Sequence, residues 1–294
     1  NAREFAKHKR SSYPVSNKRS SSPFMLIHFD VLGPSKVVSL SGYRWFVTFI
    51  DCYSRVTWVY LLRTKSEVFS CFRTFHKMVT NQFDAKIKIL RSDNGTEYVD
   101  GEFRAYLNEH DILYQTTCVS TPEQNGVAEL KNRHLLEVAR SLIFTMNVPP
   151  SFWGDAVLTA AYLINRMPSR ILQYKTPLEF LPESPSMSSI PPKIFGCVCF
   201  VHDYRHSRGK LDPKALRCVF IGYSATQKGY KCYDPQSHKV FVSMDVTFRE
   251  FESYFTSSQT SLQREHGVGE EISLPQPPPL FPLSSYQDDS CRQG

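Results

Sequence analysis

Three apolar runs in close succession restrict the fold more than any other feature of this chain. FMLIHFDVL (24–32), YRWFVTFID (43–51) and VTWVYLL (56–62) are rich in β-branched and aromatic residues and are separated by turns containing Gly and Ser, which is the composition of consecutive strands. Strands joined so tightly form an antiparallel meander. The period then changes. In EVFSCFRTFHKMV (67–79), Val68, Phe69, Phe72, Phe75 and Val79 recur at helical spacing, with Ser66 placed to cap the start. Strand and helix patterns alternate from there: strand IKIL (87–90), a helix around EFRAYLNEH (102–110), a short strand ILYQTT (112–117), and two helices in GVAELKNRHLLEVARSLIFTM (126–146) and FWGDAVLTAAYLINRM (152–167). The expected fold is α/β, a mixed sheet flanked by helices, and such sheets open their ligand crevice at strand ends and adjacent helix starts.

At 294 residues the chain is longer than one core usually grows. The Pro- and Ser-rich segment PESPSMSSIPPK (182–193) marks the expected linker between a larger unit, 23–181, and a smaller one, 194–255. In the smaller unit GCVCFVH, RCVFIGY, GYKCYD, KVFVS and DVTF are five short alternating runs, which predicts an all-β unit closed as a small barrel. Residues 1–22 read as a basic flexible arm, and 256–294, containing LPQPPPLFPLSS, as a disordered, Pro-rich acidic tail.

The formal net charge of +7 is unevenly spread: +5 in residues 1–22, −3 in 256–294 and +5 between them. A basic arm on a basic body suits a polyanion such as nucleic acid. No apolar stretch approaches the roughly 18 residues that span a bilayer, so no membrane partner is expected. Eight cysteines are scattered through apolar runs without close CxxC pairs, the usage of reduced, buried thiols inside a cell. Cys197, Cys199, His202 and His206 have ligand chemistry, but Phe195, Cys197, Cys199 and Val201 alternate on one strand face and read as core.

Three acids stand out against this background. Asp30 shares a strand face with Leu26 and His28, where a carboxylate is costly unless it pairs or binds a cation. Asp93 follows a buried strand and precedes the turn residues Asn94 and Gly95. Glu129 lies in the first turns of the long helix, with Asn132 and Arg133 at i+3 and i+4 on the same side. Thirty-five residues separate Asp93 from Glu129, and a strand and a helix between them are placed to fold back. Asp51 and Glu97 are rival acids ranked below these three, because Asp51 ends a different strand and Glu97 lies past the turn.

The runs HFDVLGPS, SGYRWFVTFIDCYSR, RSDNGTEY, TPEQNGVAELKNRHLLEVAR and KLDPKALRCVFIGYSATQKGYKCYDP resemble the integrase segment of copia-type retrotransposon polyproteins over roughly residues 5–255. The resemblance implies an RNase H-like core with Asp30, Asp93 and Glu129 as a catalytic, metal-binding triad, followed by an SH3-like barrel. It also implies two Mg²⁺ or Mn²⁺ ions, metal-dependent 3′-end processing and strand transfer on DNA, a homo-oligomer, and action in the nucleus after release from a cytoplasmic polyprotein. Asp30 would be shared between the metals. Gln124 and Asn125 would form a loop beside the site, and Lys131, Asn132, Arg133 and Arg140 would face DNA.

Some positions depart from the family pattern. Only AKHKRSSYP resembles the stretch after the usual His/Cys zinc module, so no zinc is expected in this fragment. Leu32 stands where Trp is usual, Cys52 where Asp is common, and Leu130 where Arg is common.

Overall fold

A computed structural model of the chain describes residues 20–93, 101–116, 126–182, 190–202 and 213–255. The three opening runs form β1 (Leu26–Leu32), β2 (Trp45–Asp51) and β3 (Thr57–Leu62), paired antiparallel as the meander requires. After helix α1 (Val68–Phe83), strand β4 (Ile89–Ser92) inserts parallel to β1, and β5 (Leu113–Thr116) pairs parallel to β4 after helix α2 (Gly101–Glu109). The sheet order is β3-β2-β1-β4-β5. Helices α3 (Gly126–Thr145) and α4 (Trp153–Ile164) follow.

The start of α1 differs from the sequence expectation. A short 3-10 turn, Lys65–Glu67, precedes it, and the Ser66 hydroxyl bonds Thr64 instead of capping the helix. Glu67 occupies the cap position, and its carboxylate accepts from the Arg63 amide at 2.8 Å.

Alternation along the strands divides the buried side chains between the two faces of the sheet. Ile27, Phe29, Val47 and Phe49 meet Val68, Phe72, Phe75 and Val79 of α1 on one face, with the Phe49 and Phe75 rings stacked at 4.7 Å. Each such ring contributes about 1.5–3 kcal/mol when fully buried. On the other face Phe46 packs against Leu135 and Ala139 of α3 and Ala156 and Ala160 of α4.

The second sheet is all antiparallel, in the order β10-β6-β7-β8-β9. Its strands are β6 (Cys197–His202), β7 (Ala215–Tyr223), β8 (Tyr230–Asp234), β9 (Lys239–Ser243) and β10 (Val246–Ser253). Among the described residues β9 and β10 remain its two edges. Cys197, Cys199, Cys218 and Cys232 fill its interior, and burial pushes the Cys197 and Cys218 thiols up to about 12.

The two sheets share one core. Helix α4 is small-sided, with Ala156, Val157, Ala160 and Ala161 all buried, and it packs against both α3 and β7. Gly222 of β7, at φ +126°, approaches α4 so closely that a Cβ there would stand 2.4 Å from the Thr159 hydroxyl. Polar contacts fix the seam. Tyr162 and Tyr223 stack at 3.7 Å, the Tyr162 hydroxyl donates to Ile190 O (2.8 Å), and Lys231 Nζ lies 2.7 Å from Asp155 Oδ1.

Candidate active site

The strand register brings two of the three acids together. Because β1 and β4 run parallel with His28 opposite Arg91, continuing two residues along both strands carries Asp30 and Asp93 to the same level. Asp93 lies just past the end of β4 and is exposed, whereas Asp30 is half-buried within β1. The end of β4 is tied down by Ser92, whose hydroxyl bonds Asp93 O (2.7 Å) and the Tyr114 hydroxyl (2.6 Å). Glu129 enters from the first turn of α3, also exposed.

Asp30 is held by a small polar network. Its Oδ1 accepts from the Val31 amide at 2.8 Å, and its Oδ2 accepts from Asn132 Nδ2 at 2.8 Å. Asn132 Oδ1 in turn accepts from the Thr48 hydroxyl at 3.0 Å. Thr48 lies directly across from Asp30 on β2 and is fully buried. The carboxylate therefore has both oxygens oriented, and α3, which carries Glu129, is pinned to the sheet one helical turn beyond that acid.

The electrostatics report how close the acids are. The Asp30 carboxyl is raised from 3.8 to about 6, first by burial and next by the charge of Asp93, with a smaller push from Glu129; the Asn132 and Val31 donors oppose the rise. Asp93 and Glu129 thus both act on Asp30. No group of three or more His, Cys, Asp or Glu side chains among the described residues is drawn tightly enough to hold an ion. Carboxylates gathered at one strand end oppose one another, since like charges about 4 Å apart repel by about 4 kcal/mol at an effective dielectric near 20. The donor set fits a hard divalent cation: oxygen ligands only, with ionisation opposed by like charge and favoured by a positive ion.

The residues expected to face DNA fall into different environments. Arg133 and Arg140 are exposed on α3, and Arg140 Nε donates to Leu136 O at 3.2 Å. Lys131 is half-buried near Arg55, and burial with the neighbouring guanidinium lowers it to about 8. Asn132 must be corrected: it is 2% exposed and serves Asp30 and Thr48, so it presents nothing to a DNA surface. The reason is the helix phase, because Ala128, Asn132, Leu135 and Ala139 form the buried stripe of α3 while Glu129 and Arg133 lie outside it. Gln124 and Asn125 lie outside the described residues, as do Glu97 and His206.

Asp51 is structural. Its carboxylate is buried and accepts from the Phe24 amide (2.9 Å), the Ser54 amide (2.8 Å) and the Ser54 hydroxyl (2.6 Å), which closes the β2–β3 turn.

The sequence reading did not single out Thr48, Ser92 or Tyr114. A hydroxyl inside the aromatic run YRWFVTFID was the available signal for Thr48, since a buried hydroxyl needs a partner.

Comparison with known proteins agrees with this geometry. Residues 20–122 match the integrase core domain, and residues 197–262 match the retroviral polymerase SH3-like domain. This chain is 44% identical over 264 residues, 90% of its length, to the retrovirus-related Pol polyprotein from transposon TNT 1-94 of Nicotiana tabacum. The chain belongs to the integrase segment of the copia-type Pol polyprotein family. It is 35% identical over 285 residues, 94% of its length, to the polyprotein from transposon RE1 of Arabidopsis thaliana. The chain spans 20% and 19% of the length of these two relatives.

Among solved structures, the HTLV-2 integrase catalytic core in complex with magnesium matches at 15% identity and TM-score 0.42, covering 56% of this chain and all of that one. A simian T-cell lymphotropic virus intasome in complex with a PP2A regulatory subunit matches at 15% identity and TM-score 0.46, covering 80% of this chain and 79% of that one. Both likenesses are remote.

Proposed function

We propose that this chain is the catalytic part of a retrotransposon integrase, a divalent-metal-dependent polynucleotidyl transferase. It trims the 3′ end of element DNA and joins the freed hydroxyl to a phosphodiester of target DNA, working in the nucleus as a homo-oligomer. The observation that supports this most is the convergence of three acids on one strand end: Asp30 and Asp93 at the same level of parallel β1 and β4, with Glu129 on the helix that Asn132 ties to Asp30, a gathering of like charge that a cation relieves.

Asp30, Asp93 and Glu129 would hold Mg²⁺ or Mn²⁺, which when bound supplies charge for the attacking and leaving oxygens of an in-line displacement at phosphorus. The chain's own residues prepare the site. Asn132 and the Val31 amide fix the Asp30 carboxylate, so its lone pairs are aimed before a ligand arrives. Ser92 and Tyr114 fix the strand end from which Asp93 projects. Arg133 and Arg140 are exposed cations on the helix that carries Glu129, available to phosphates.

The test is joining of a labelled DNA end to plasmid with and without Mg²⁺. Joining that requires Mg²⁺ and disappears in Asp93→Asn, with the melting transition retained, is the expected result. Equal joining by Asp93→Asn would refute the assignment. Salt-dependent DNA binding with no nicking or joining under any metal would reduce the chain to a binding module.

A further inference from the structure

Two residues before Asp93, β4 carries an arginine that the acidic site does not use. Arg91 stands beside His28 of β1 and beside Gln115 of β5 in the parallel register. Neighbours across paired strands share a face, so Arg91 and Gln115 are on the face of the sheet that carries Asp30. Helix α3 lies against β1 and β2 on that face, and α4 against β3. The β4–β5 side is more open. Leu113, two residues before Gln115 and on the same face, is 57% exposed, and Arg91 and Gln115 are themselves only half-buried.

Arg91 is anchored sideways to the next strand. Its Nε (3.3 Å) and Nη2 (2.8 Å) both donate to Gln115 Oε1. It makes no ion pair among the described residues, and Nη1 is left for another acceptor. An anchored guanidinium loses less freedom when it binds, and its planar fork suits phosphate oxygens. A gathering of acids repels a polyanion, so a fixed cation beside them lowers the cost of bringing DNA there.

The register gives the spacing. Arg91 is two residues from Asp93 on one strand, and one strand and two residues from Asp30. At about 3.3 Å per residue and about 4.8 Å between strands, its Cα is about 7 Å from that of Asp93 and about 8 Å from that of Asp30. A DNA strand advances about 3.4 Å per nucleotide, so this cation stands within about three nucleotides of a phosphodiester at the acids.

We infer that Arg91, steadied by Gln115, binds a backbone phosphate of the DNA strand that reaches the acids, beside the reacting phosphodiester. The inference rests on the DNA reading of the acidic site and names a further contact for the same substrate.

The experiment compares the full chain with its variants Arg91→Gln, Arg91→Lys and Lys77→Gln in two assays. One is fluorescence anisotropy with a labelled DNA duplex in EDTA across a range of salt, and the other is Mg²⁺-dependent joining at varied concentrations of the labelled DNA end. Lys77 is exposed on α1, which covers the other face of the sheet, and serves as the control for net charge.

Loss of one phosphate contact lowers the slope of log affinity against log salt by about 1 in Arg91→Gln. It also raises the KM for the DNA end about tenfold with kcat little changed. Arg91→Lys keeps the slope, and Lys77→Gln changes neither quantity. A merely structural Arg91 would give an unchanged slope and KM in folded Arg91→Gln, which overturns the inference and leaves the acidic-site proposal standing. An equal fall in slope in Lys77→Gln overturns it too. If Arg91→Gln does not fold, Gln115→Leu, which keeps the cation and removes its anchor, takes its place: a raised KM at an unchanged slope supports the inference, and an unchanged KM overturns it. Salt-dependent binding without joining by wild type defeats the acidic-site proposal alone, and the slope then decides for Arg91. Absence of salt-dependent binding by wild type overturns both.

Discussion

Asn132→Ala is the substitution that most directly probes the link between fold and site. It removes a hydrogen bond to Asp30 Oδ2 and leaves the fully buried Thr48 hydroxyl with only a 3.5 Å approach to Asp30 O. A hydrogen bond to a charged group contributes about 1.5–3 kcal/mol and a stranded buried hydroxyl costs about 1–3 kcal/mol. The two share one network and do not add fully, so the expected loss at pH 8 is about 2–4 kcal/mol.

The loss should depend on pH. Asn132 donates to the ionised carboxylate and holds the Asp30 pKa down against burial and Asp93, so without it the folded-state value rises above about 6. A folded pKa raised above its unfolded value gives stability at low pH that is lost as pH rises through the folded pKa. Asn132→Ala therefore costs more at pH 8 than at pH 5. Urea unfolding in EDTA at both pH values, with the Asp30 carboxyl followed by carbon NMR, measures both effects. Equal losses at the two pH values, or an unmoved Asp30 midpoint, would refute the reasoning, because a merely space-filling Asn132 would give that result.

Other consequences follow from the same geometry. In metal-free wild type, the Asp30 contribution is fully present below pH 3.8 and is lost as pH rises through about 6, a fall of up to about 3 kcal/mol; Asp93→Asn should flatten it, and Mg²⁺ at pH 8 should reverse it in urea melts. Gly222→Ala forces a side chain into a left-handed backbone and against Thr159, costing about 2–4 kcal/mol; thermal melts should show Thr159→Ala recovering only the steric share. Ser92→Ala and Tyr114→Phe remove the same 2.6 Å hydrogen bond, so a double-mutant cycle should give a coupling of about 0.5–3 kcal/mol, and each single change should weaken Mg²⁺-dependent joining.

Much of the fold and part of the site could be read from local pattern. The runs at 24–32, 43–51 and 56–62 became β1 to β3, and Val68, Phe72, Phe75 and Val79 became the buried face of α1. Strand and helix periods are local properties, so residues a few positions apart reveal them. Ser66 failed as a cap because the residues before it turn as a 3-10 segment, which composition does not distinguish from the first turn of the helix. Asn132 was misassigned because spacing from Glu129 defines a helix side but not which way that side turns. The apolar neighbours Ala128, Leu135 and Ala139 held that information, with Asn132 as the polar member of their stripe.

The sequence by itself determined the order of the elements, the chemical type of the three acids and their spacing, because these follow from residue identity and short-range period. Tertiary structure alone decided that Thr48, Asn132 and Asp30 form one network across separations of 84 and 102 residues. It also decided that α4 and β7 join the two sheets into one core. Each of these depends on the relative placement of distant segments, which register and packing set, so no local window of residues contains it.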